Sequence, residues 1–255
     1  MPAPGAGKLS VVEVARDGEV AVIRLNRPEK LNAISSDVER ALHRAIVSDD
    51  VRGSSAVVVT GEGRAFSAGA DISEFEGRSP EDVLRYYRET GGVYEEIAGL
   101  PQPTVAAIHG YCLGGALELA LALDFRIADD SAVFGFPEVS LGILASSGGL
   151  HRATRLLGPA RAKELFLLAE RFGADEARRA GVITEVVEEG KALDRALEVA
   201  VRLAALPRDA VAVTKQAIDA VTASPREAAL LIERLAYAAL AQTKAARDAA
   251  AGFGS

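Results

Sequence analysis

Two hydrophobic periods divide the chain. Up to about residue 190, short apolar runs bounded by Gly, Pro or Asp alternate with helical segments: Val20 to Leu25, Ala56 to Thr60, Thr104 to His109, Phe125 to Ala128 and Val182 to Val187. Runs of this length, rich in Val and Ile, predict strands, and their alternation with helices predicts an α/β domain. Ser36 with Glu39 three residues on predicts a capping box for a helix over Asp37 to Val47, and Ser79-Pro80 predicts a helix starting near Glu81. Beyond residue 190 the chain turns Ala/Leu-rich, with breaks at Pro207 and Pro225. Ser224, Pro225 and Glu227 again spell a helix start. This tail predicts two or three helices whose apolar positions, Leu230, Leu231, Leu235 and Leu240, must cover either the same chain or a neighbouring subunit. No repeat of fixed period or low-complexity linker interrupts the chain, so residues 1–190 are expected to form the core and 191–255 a helical extension of it.

Within this pattern one residue is out of place. In HGYCLGGALELALALDFRIA, residues 109 to 128, Glu118 is fenced by Leu117, Leu119, Leu121 and Leu123. The segment Leu113 to Leu123 is apolar all round, which predicts a buried helix. An ionised carboxylate there costs several kcal/mol unless partners offset it, so Glu118 is either a functional acid or base or half of a structural ion pair. Gly114 and Gly115 favour function. Glycines at a helix start let a ligand approach free backbone N–H groups, and Glu118 follows Gly115 by three residues, on the same side of the first turn.

Two further stretches carry candidate chemistry. GRAFSAGADI, Gly63 to Ile72, follows the strand AVVVT and reads either as a tight turn or as a loop that aims a backbone N–H at the same cavity. It lacks the Lys-Ser/Thr of a phosphate-binding loop, the third glycine of a dinucleotide site and the G-x-S-x-G of a nucleophile elbow. In FGFPEVSLG, Phe134 to Gly142, Glu138 follows Pro137 between Phe136 and Val139. Pro-Glu is an ordinary helix start, but a carboxyl in apolar company has a raised pKa and can donate a proton, which would complete an acid/base pair with Glu118.

Composition narrows the setting. With 255 residues, 49% hydrophobic and 25% charged, the chain is expected to be globular with a sizeable core. One cysteine, Cys112, and three scattered histidines allow no intrachain disulfide and no zinc cluster. The longest apolar run is broken by Glu118 and Asp124, well short of the ~20 residues a membrane span requires. MPAPGAGKLS reads as a flexible lead-in rather than a targeting peptide, so a cytoplasmic protein is expected. A net charge of −7 argues against nucleic acid as partner.

Taken together, LNRPEKLNAIS (Leu25 to Ser35), GRAFSAGADI, PTVAAIHGYCLGGALELALALDFRIA, FGFPEVSLG and LLGPARAKELFLLAERFGADEARRAGVITEVV (Leu156 to Val187) resemble the crotonase superfamily, most closely enoyl-CoA hydratase. The resemblance implies an α/β spiral of ββα units over residues 1–190, with the helical C-terminal region building a homotrimer or homohexamer. It implies an acyl-CoA thioester as substrate, coenzyme A entering only as its carrier, with no separate cofactor and no metal. Position by position, Ala70 and Gly115 match the two oxyanion-hole residues and Glu118 and Glu138 the two hydratase glutamates. Lys30, Leu31, Ala68, Asp71 and Ile72 fall at substrate-binding positions, Lys30 being the nearest candidate for the CoA phosphates because Ser73 stands where some members have lysine.

The expected reaction is reversible syn addition of water to a 2-enoyl-CoA, as in fatty acid β-oxidation, with the N–H pair stabilising the enolate and the two carboxyls moving protons. Isomerisation of the double bond, a specialised acyl-CoA dehydration and a non-catalytic binding role are the alternatives. Members that only shift a double bond typically keep one of the two carboxylates, so the pair favours hydration.

Overall fold

The computed structural model describes residues 10–75, 77–90 and 92–252. Of the lead-in expected to be flexible, residues 1–9 lie outside the described residues.

The chain opens with an antiparallel hairpin of β1 (Val12–Asp17) and β2 (Val20–Leu25). Helices α1 (Ser36–Ile46) and α2 (Asp49–Gly53) lead into β3 (Ala56–Gly61), and α3 (Pro80–Glu89) and α4 (Val93–Ala98) lead into β4 (Thr104–Ile108). Then follow β5 (Tyr111–Leu113), α5 (Gly115–Ala122), β6 (Phe125–Asp129), β7 (Val133–Gly135), α6 (Gly149–Leu168), β8 (Phe172–Gly173), α7 (Ala174–Arg179) and β9 (Glu185–Val187). Four helices close the described chain: α8 (Ala192–Ala204), α9 (Arg208–Thr222), α10 (Arg226–Leu240) and α11 (Lys244–Gly252).

These elements repeat one step. A strand joins a six-stranded sheet of order β1-β2-β3-β4-β6-β9, parallel from β2 onwards. The chain next contributes a short segment to a second layer, and a helix returns it. β4, β5 and α5 form one such ββα turn, and β6, β7 and α6 another. The turn after β3 is looser, its short segment reduced to the isolated bridge of Ser67 with Cys112 in β5. The second layer is the three-stranded sheet β5-β7-β8.

β3 and β4 are buried along their whole length, as the central parallel strands of a sheet covered on both faces must be. Val57, Val59, Ala106 and Ile108 pack into the main core with α1, α4 and α5. On the other face Val58, Val105, Ala107 and Ile127 meet Ala196 and Ala200 of α8. The sheet's outer helix is thus drawn from the helical extension beyond residue 190, which covers part of its own chain.

Several local expectations are corrected. Among the described residues the tail holds four helices rather than two or three. Ser35, not Ser36, caps α1 by accepting the Val38 N–H, while Ser36 gives its hydroxyl to Glu74 at 2.6 Å and Glu39 is buried. Ser224 bonds back to the Ala220 carbonyl, leaving Pro225 before α10 without a side-chain cap. The helix expected over Leu113 to Leu123 is shorter, because Leu113 ends β5 and Leu123 is extended. Of Val182 to Val187 only the last three residues are strand. The helix expected to start near Glu81 does so as α3, with Ser79 as its cap in a capping box with Asp82.

Candidate active site

Asn32 builds the first wall. It is buried at φ +55, its side chain accepts the Arg27 N–H and donates to the carbonyls of Glu62 (2.9 Å) and Ala65 (2.8 Å), and its own carbonyl takes the Ser67 hydroxyl. The following loop is pinned by Ala68 N–H to Leu31 O (2.9 Å), Ile34 N–H to Gly69 O (2.8 Å) and Asp71 N–H to Ile34 O (2.8 Å). In a parallel bridge of this kind the central residue, Ala70, turns its own N–H away from its partner strand. That N–H lies on the Gly115 side: a Cβ at Gly115 would stand 3.5 Å from Ala70 N. Gly69, at φ +101, is what lets the loop come this close, since a Cβ there would stand 2.6 Å from the Leu113 carbonyl.

Gly114 and Gly115 divide the work at the start of α5. Gly115 is the first helical residue, so its N–H has no partner one turn earlier. Gly114 has φ +51, and a Cβ on it would stand 2.8 Å from Glu138 Oε1, so it makes room for that carboxyl. The start of α5 thus presents the Gly115 N–H beside the Ala70 N–H, with Glu138 against the adjoining glycine.

Glu118, one turn into α5, is 3% exposed. Its Oε1 accepts the Ser147 N–H at 2.8 Å and the Gly149 N–H at 2.9 Å. Gly149 opens α6, whose first helical segment runs to a break at Gly158 (φ 76, ψ 160), so the carboxylate sits at the positive end of that segment. Burial raises its pKa; the N–H groups of Gly149, Ser147 and Ser146 and the charge of Arg152 pull it back, and the net direction is up. Arg152 is in turn paired with Glu95 at 2.8 Å.

Glu138 begins a short 3-10 turn, Glu138–Leu141, after β7 and Pro137. Phe136, just upstream, is fully buried and stacked 4.1 Å from Phe166, which fixes the segment that carries it. Burial pushes the Glu138 pKa up to about 7, and the neighbouring charge of Glu118 acts in the same direction. Its Oε2 is buried without a hydrogen-bond partner among the described residues. The two carboxyls therefore differ in kind. Glu118 is stabilised as a carboxylate by backbone donors, whereas Glu138 is held close to its neutral form with an oxygen left to bind something else.

The other expected residues are placed unevenly. Leu31 (φ +50) and Ala68 are half-buried and bonded to each other, and Ala70 is exposed. The Asp71 carboxylate is engaged by Ser73 at 2.7 Å and Arg27 at 3.4 Å, which hold its pKa down, so it braces the loop. Ile72 is 56% exposed. Lys30 is exposed at the end of a 3-10 turn, and among the described residues its side chain makes no ion pair or hydrogen bond. Sequence reasoning missed Ser147 and Gly149, which act through backbone N–H groups. It also gave no role to Asn32, although LNAIS was in view, or to Tyr94, whose buried ring brings its hydroxyl to 3.7 Å from a Cβ at Gly115.

A spiral of ββα steps with two backbone donors facing two unlike buried carboxyls defines an acyl-transforming enzyme of the crotonase type. Comparison with known proteins agrees, residues 15–254 matching the family described as Enoyl-CoA hydratase/isomerase. The chain belongs to this family. It is 36% identical to a short-chain-enoyl-CoA hydratase of Clostridium acetobutylicum, over 96% of this chain and 95% of that protein. It is 32% identical to a crotonyl-CoA hydratase of Syntrophomonas wolfei, over 93% and 92% respectively. Among solved structures, an enoyl-CoA hydratase from Bacillus anthracis superposes with a TM-score of 0.88 at 34% identity, covering 96% of each chain.

Proposed function

We propose that this chain is a hydro-lyase that adds water reversibly to the 2,3 double bond of a 2-enoyl-CoA, giving the 3-hydroxyacyl-CoA. The observation that carries this reading is the pair of buried carboxyls beside the Gly114-Gly115 helix start, with the Ala70 N–H opposite. With the thioester oxygen between the N–H groups of Ala70 and Gly115, electron density displaced from the double bond collects on that oxygen as an enolate. Glu118 takes a proton from water as its oxygen bonds to Cβ. Glu138 orients the same water and gives its own proton to Cα. Both groups serve one water, so hydrogen and hydroxyl add from one side. Proton exchange with solvent then returns Glu118 to carboxylate and Glu138 to acid. The chemistry draws only on groups of the chain.

Leu31, Ala68, Asp71 and Ile72 border the thioester path in this reading, and Lys30 is the cation nearest to hand for the CoA phosphates. The short-chain and crotonyl names of the relatives support a short acyl group. Among the described residues no helix is long and apolar enough to cross a membrane; the single cysteine, which allows no intrachain disulfide, supports a reducing, cytoplasmic setting. The exposed apolar positions of α9 and α10 support assembly into a trimer or hexamer.

The test is incubation with crotonyl-CoA and longer enoyl-CoAs, following loss of the conjugated thioester absorbance. Glu138→Gln should cut hydration by about 10²–10⁴-fold. Near-normal hydration by that variant would remove the two-carboxylate mechanism and leave one-carboxylate isomerase chemistry in its place.

A further inference from the structure

We infer that Tyr87 is a positioning residue for Glu118, acting through the loop that joins the Glu138 turn to α6. The inference rests on the reading of Glu118 as the base. Three contacts hold that loop around Ser147. Its N–H is on Glu118 at 2.8 Å, its carbonyl takes Arg152 Nη1 at 3.4 Å, and the neighbouring Ser146 hydroxyl is hydrogen-bonded to the Tyr87 hydroxyl. The Tyr87 hydroxyl also reaches Ser147.

Tyr87 comes from α3, which contributes no buried residue to the fold, so α3 gives the core no apolar anchor. Polar ties hold it instead: the Tyr86 hydroxyl to Glu39, Arg78 over the Tyr86 ring at 5.6 Å and Arg78 near Glu74. Tyr87 is the tie that runs to the loop carrying the Glu118 donors. Among the described residues, neither the Tyr87 nor the Ser146 side chain is hydrogen-bonded to the Glu118 carboxylate, so the effect passes through the main chain of residues 146 to 149.

The groups that set the proton affinity of Glu118 from the surrounding elements are Arg152 on α6, Glu138 on its turn, Tyr94 on α4 and Tyr87 itself. Among the described residues, only the loop N–H groups hydrogen-bond to its carboxylate. Loosening the loop therefore weakens the donors that favour the carboxylate, and the base becomes both less well aimed and harder to deprotonate.

The experiment compares Tyr87→Phe, Ser146→Ala and the double variant with the parent. Each is characterised by crotonyl-CoA hydration against pH and by infrared titration of the Glu118 carboxyl, assigned through its absence in Glu118→Gln. Each single variant should lower kcat about tenfold or more with KM within about twofold, because a small misplacement of a reacting group is costly. The Glu118 titration and the acid limb of kcat/KM should move upward together. The double variant should be no worse than the worse single, since the bond that Ser146→Ala removes is already lost in Tyr87→Phe. Tyr86→Phe, on the same helix, should leave that titration in place.

An unmoved Glu118 titration overturns the inference, as does raised KM with intact kcat and altered chain-length preference, which would make Tyr87 a wall of the acyl pocket. If Tyr87→Phe fails to fold, Ser146→Ala tests the same bond from its other end. A parent that does not hydrate enoyl-CoAs would sink the underlying reading, while the infrared titration would still decide whether Tyr87 controls Glu118.

Discussion

Glu118 and Gly149, 31 residues apart in sequence, meet at 2.9 Å through the carboxylate and the first N–H of α6, and a Cβ on Gly149 would stand 2.2 Å from Glu118 Cγ. The glycine is therefore required by the glutamate. Gly149→Ala should push Glu118 out of its donors at a stability cost of about 1–3 kcal/mol, the usual scale of overpacking. Hydration should fall at least about 10²-fold while the variant still melts cooperatively. Parental kcat in a folded Gly149→Ala protein would show that Glu118 does not need this seat.

Gly115 provides the opposite case. A Cβ there meets Ala70 N at 3.5 Å, the Tyr94 hydroxyl at 3.7 Å and Ala70 Cβ at 3.8 Å, all ordinary contact distances, so Gly115→Ala should fold. Alanine also favours a helix over glycine by roughly 0.5–1 kcal/mol. The methyl would, however, occupy the approach of the thioester oxygen to the Ala70 and Gly115 N–H groups. Thermal unfolding at or above the parental temperature, with about 10²–10³-fold lower kcat/KM, is the expected pair of results. Retained activity would move the oxyanion hole elsewhere.

The unlike carboxyls predict an asymmetric pH profile. With a pKa of about 7, Glu138 is protonated below that pH and can give a proton to Cα. Hydration kcat/KM should therefore fall as pH rises through about 7, approaching tenfold per unit. Dehydration needs Glu138 to accept a proton, so its limb should run the other way. The limb should vanish from the residual activity of Glu138→Gln, measured over pH 5.5 to 9 in both directions. An unchanged alkaline limb in that variant would assign the titration to another group.

Much of this was legible because the chemistry lies in short stretches with strong local signatures. A carboxylate among leucines and a glycine pair before a helix mark themselves, and the parallel strands β3 and β4, buried throughout, declare themselves by Val, Ala and Ile runs. The strands missed, β5, β7 and β8, have two or three residues each, below the length at which alternation is visible. β1 was missed because half its positions are exposed and charged, VEVARD. The seat of Glu118 was illegible for a different reason: Ser147 and Gly149 contribute backbone atoms, and sequence names only side chains. The capping error at α1 arose from adjacent serines, of which Glu74, 38 residues away, claims one.

Glu39 is a buried carboxyl that the proposed reaction leaves unused, and it has a cost. It is 2% exposed, with Oε2 unpartnered among the described residues, and burial raises its pKa from 4.5 to about 7 despite a hydrogen bond from Tyr86. Below the unfolded value near 4.5 both states hold the proton and stability is unaffected. Between about 4.5 and 7 the unfolded chain gives it up first, so stability falls as pH rises, and the full cost is present above about 7. Glu39→Gln should remove that dependence and gain about 1–3 kcal/mol at pH 8, vanishing near pH 4, by denaturant titration at the two pH values. A variant no more stable than the parent at pH 8 would show that Glu39 is better partnered than its orphaned oxygen indicates.

The last two long helices leave apolar surface uncovered within one chain. No side chain of α9 or α10 is buried, although the two pack on each other, and Ile218, Leu231, Leu235 and Tyr237 are each more than half exposed. Polar ties anchor this unit at its base: Lys215 Nζ lies 2.8 Å from Asp124, and Arg208 donates to the Ser54 carbonyl at 2.7 Å. Such ties orient the helices without covering their outward leucines, and an apolar surface of this kind is expected to be an interface. With a chain mass of 26.6 kDa, light scattering at micromolar concentration should give about 80 kDa or twice that, as closed symmetry requires of a trimer or a pair of trimers. Leu231→Glu with Leu235→Lys should lower that mass toward one chain while leaving the circular dichroism of the sheet intact, since neither residue touches the core. A parent mass of one chain, constant over a hundredfold concentration range, would mean that the leucines are solvent-exposed in the working protein.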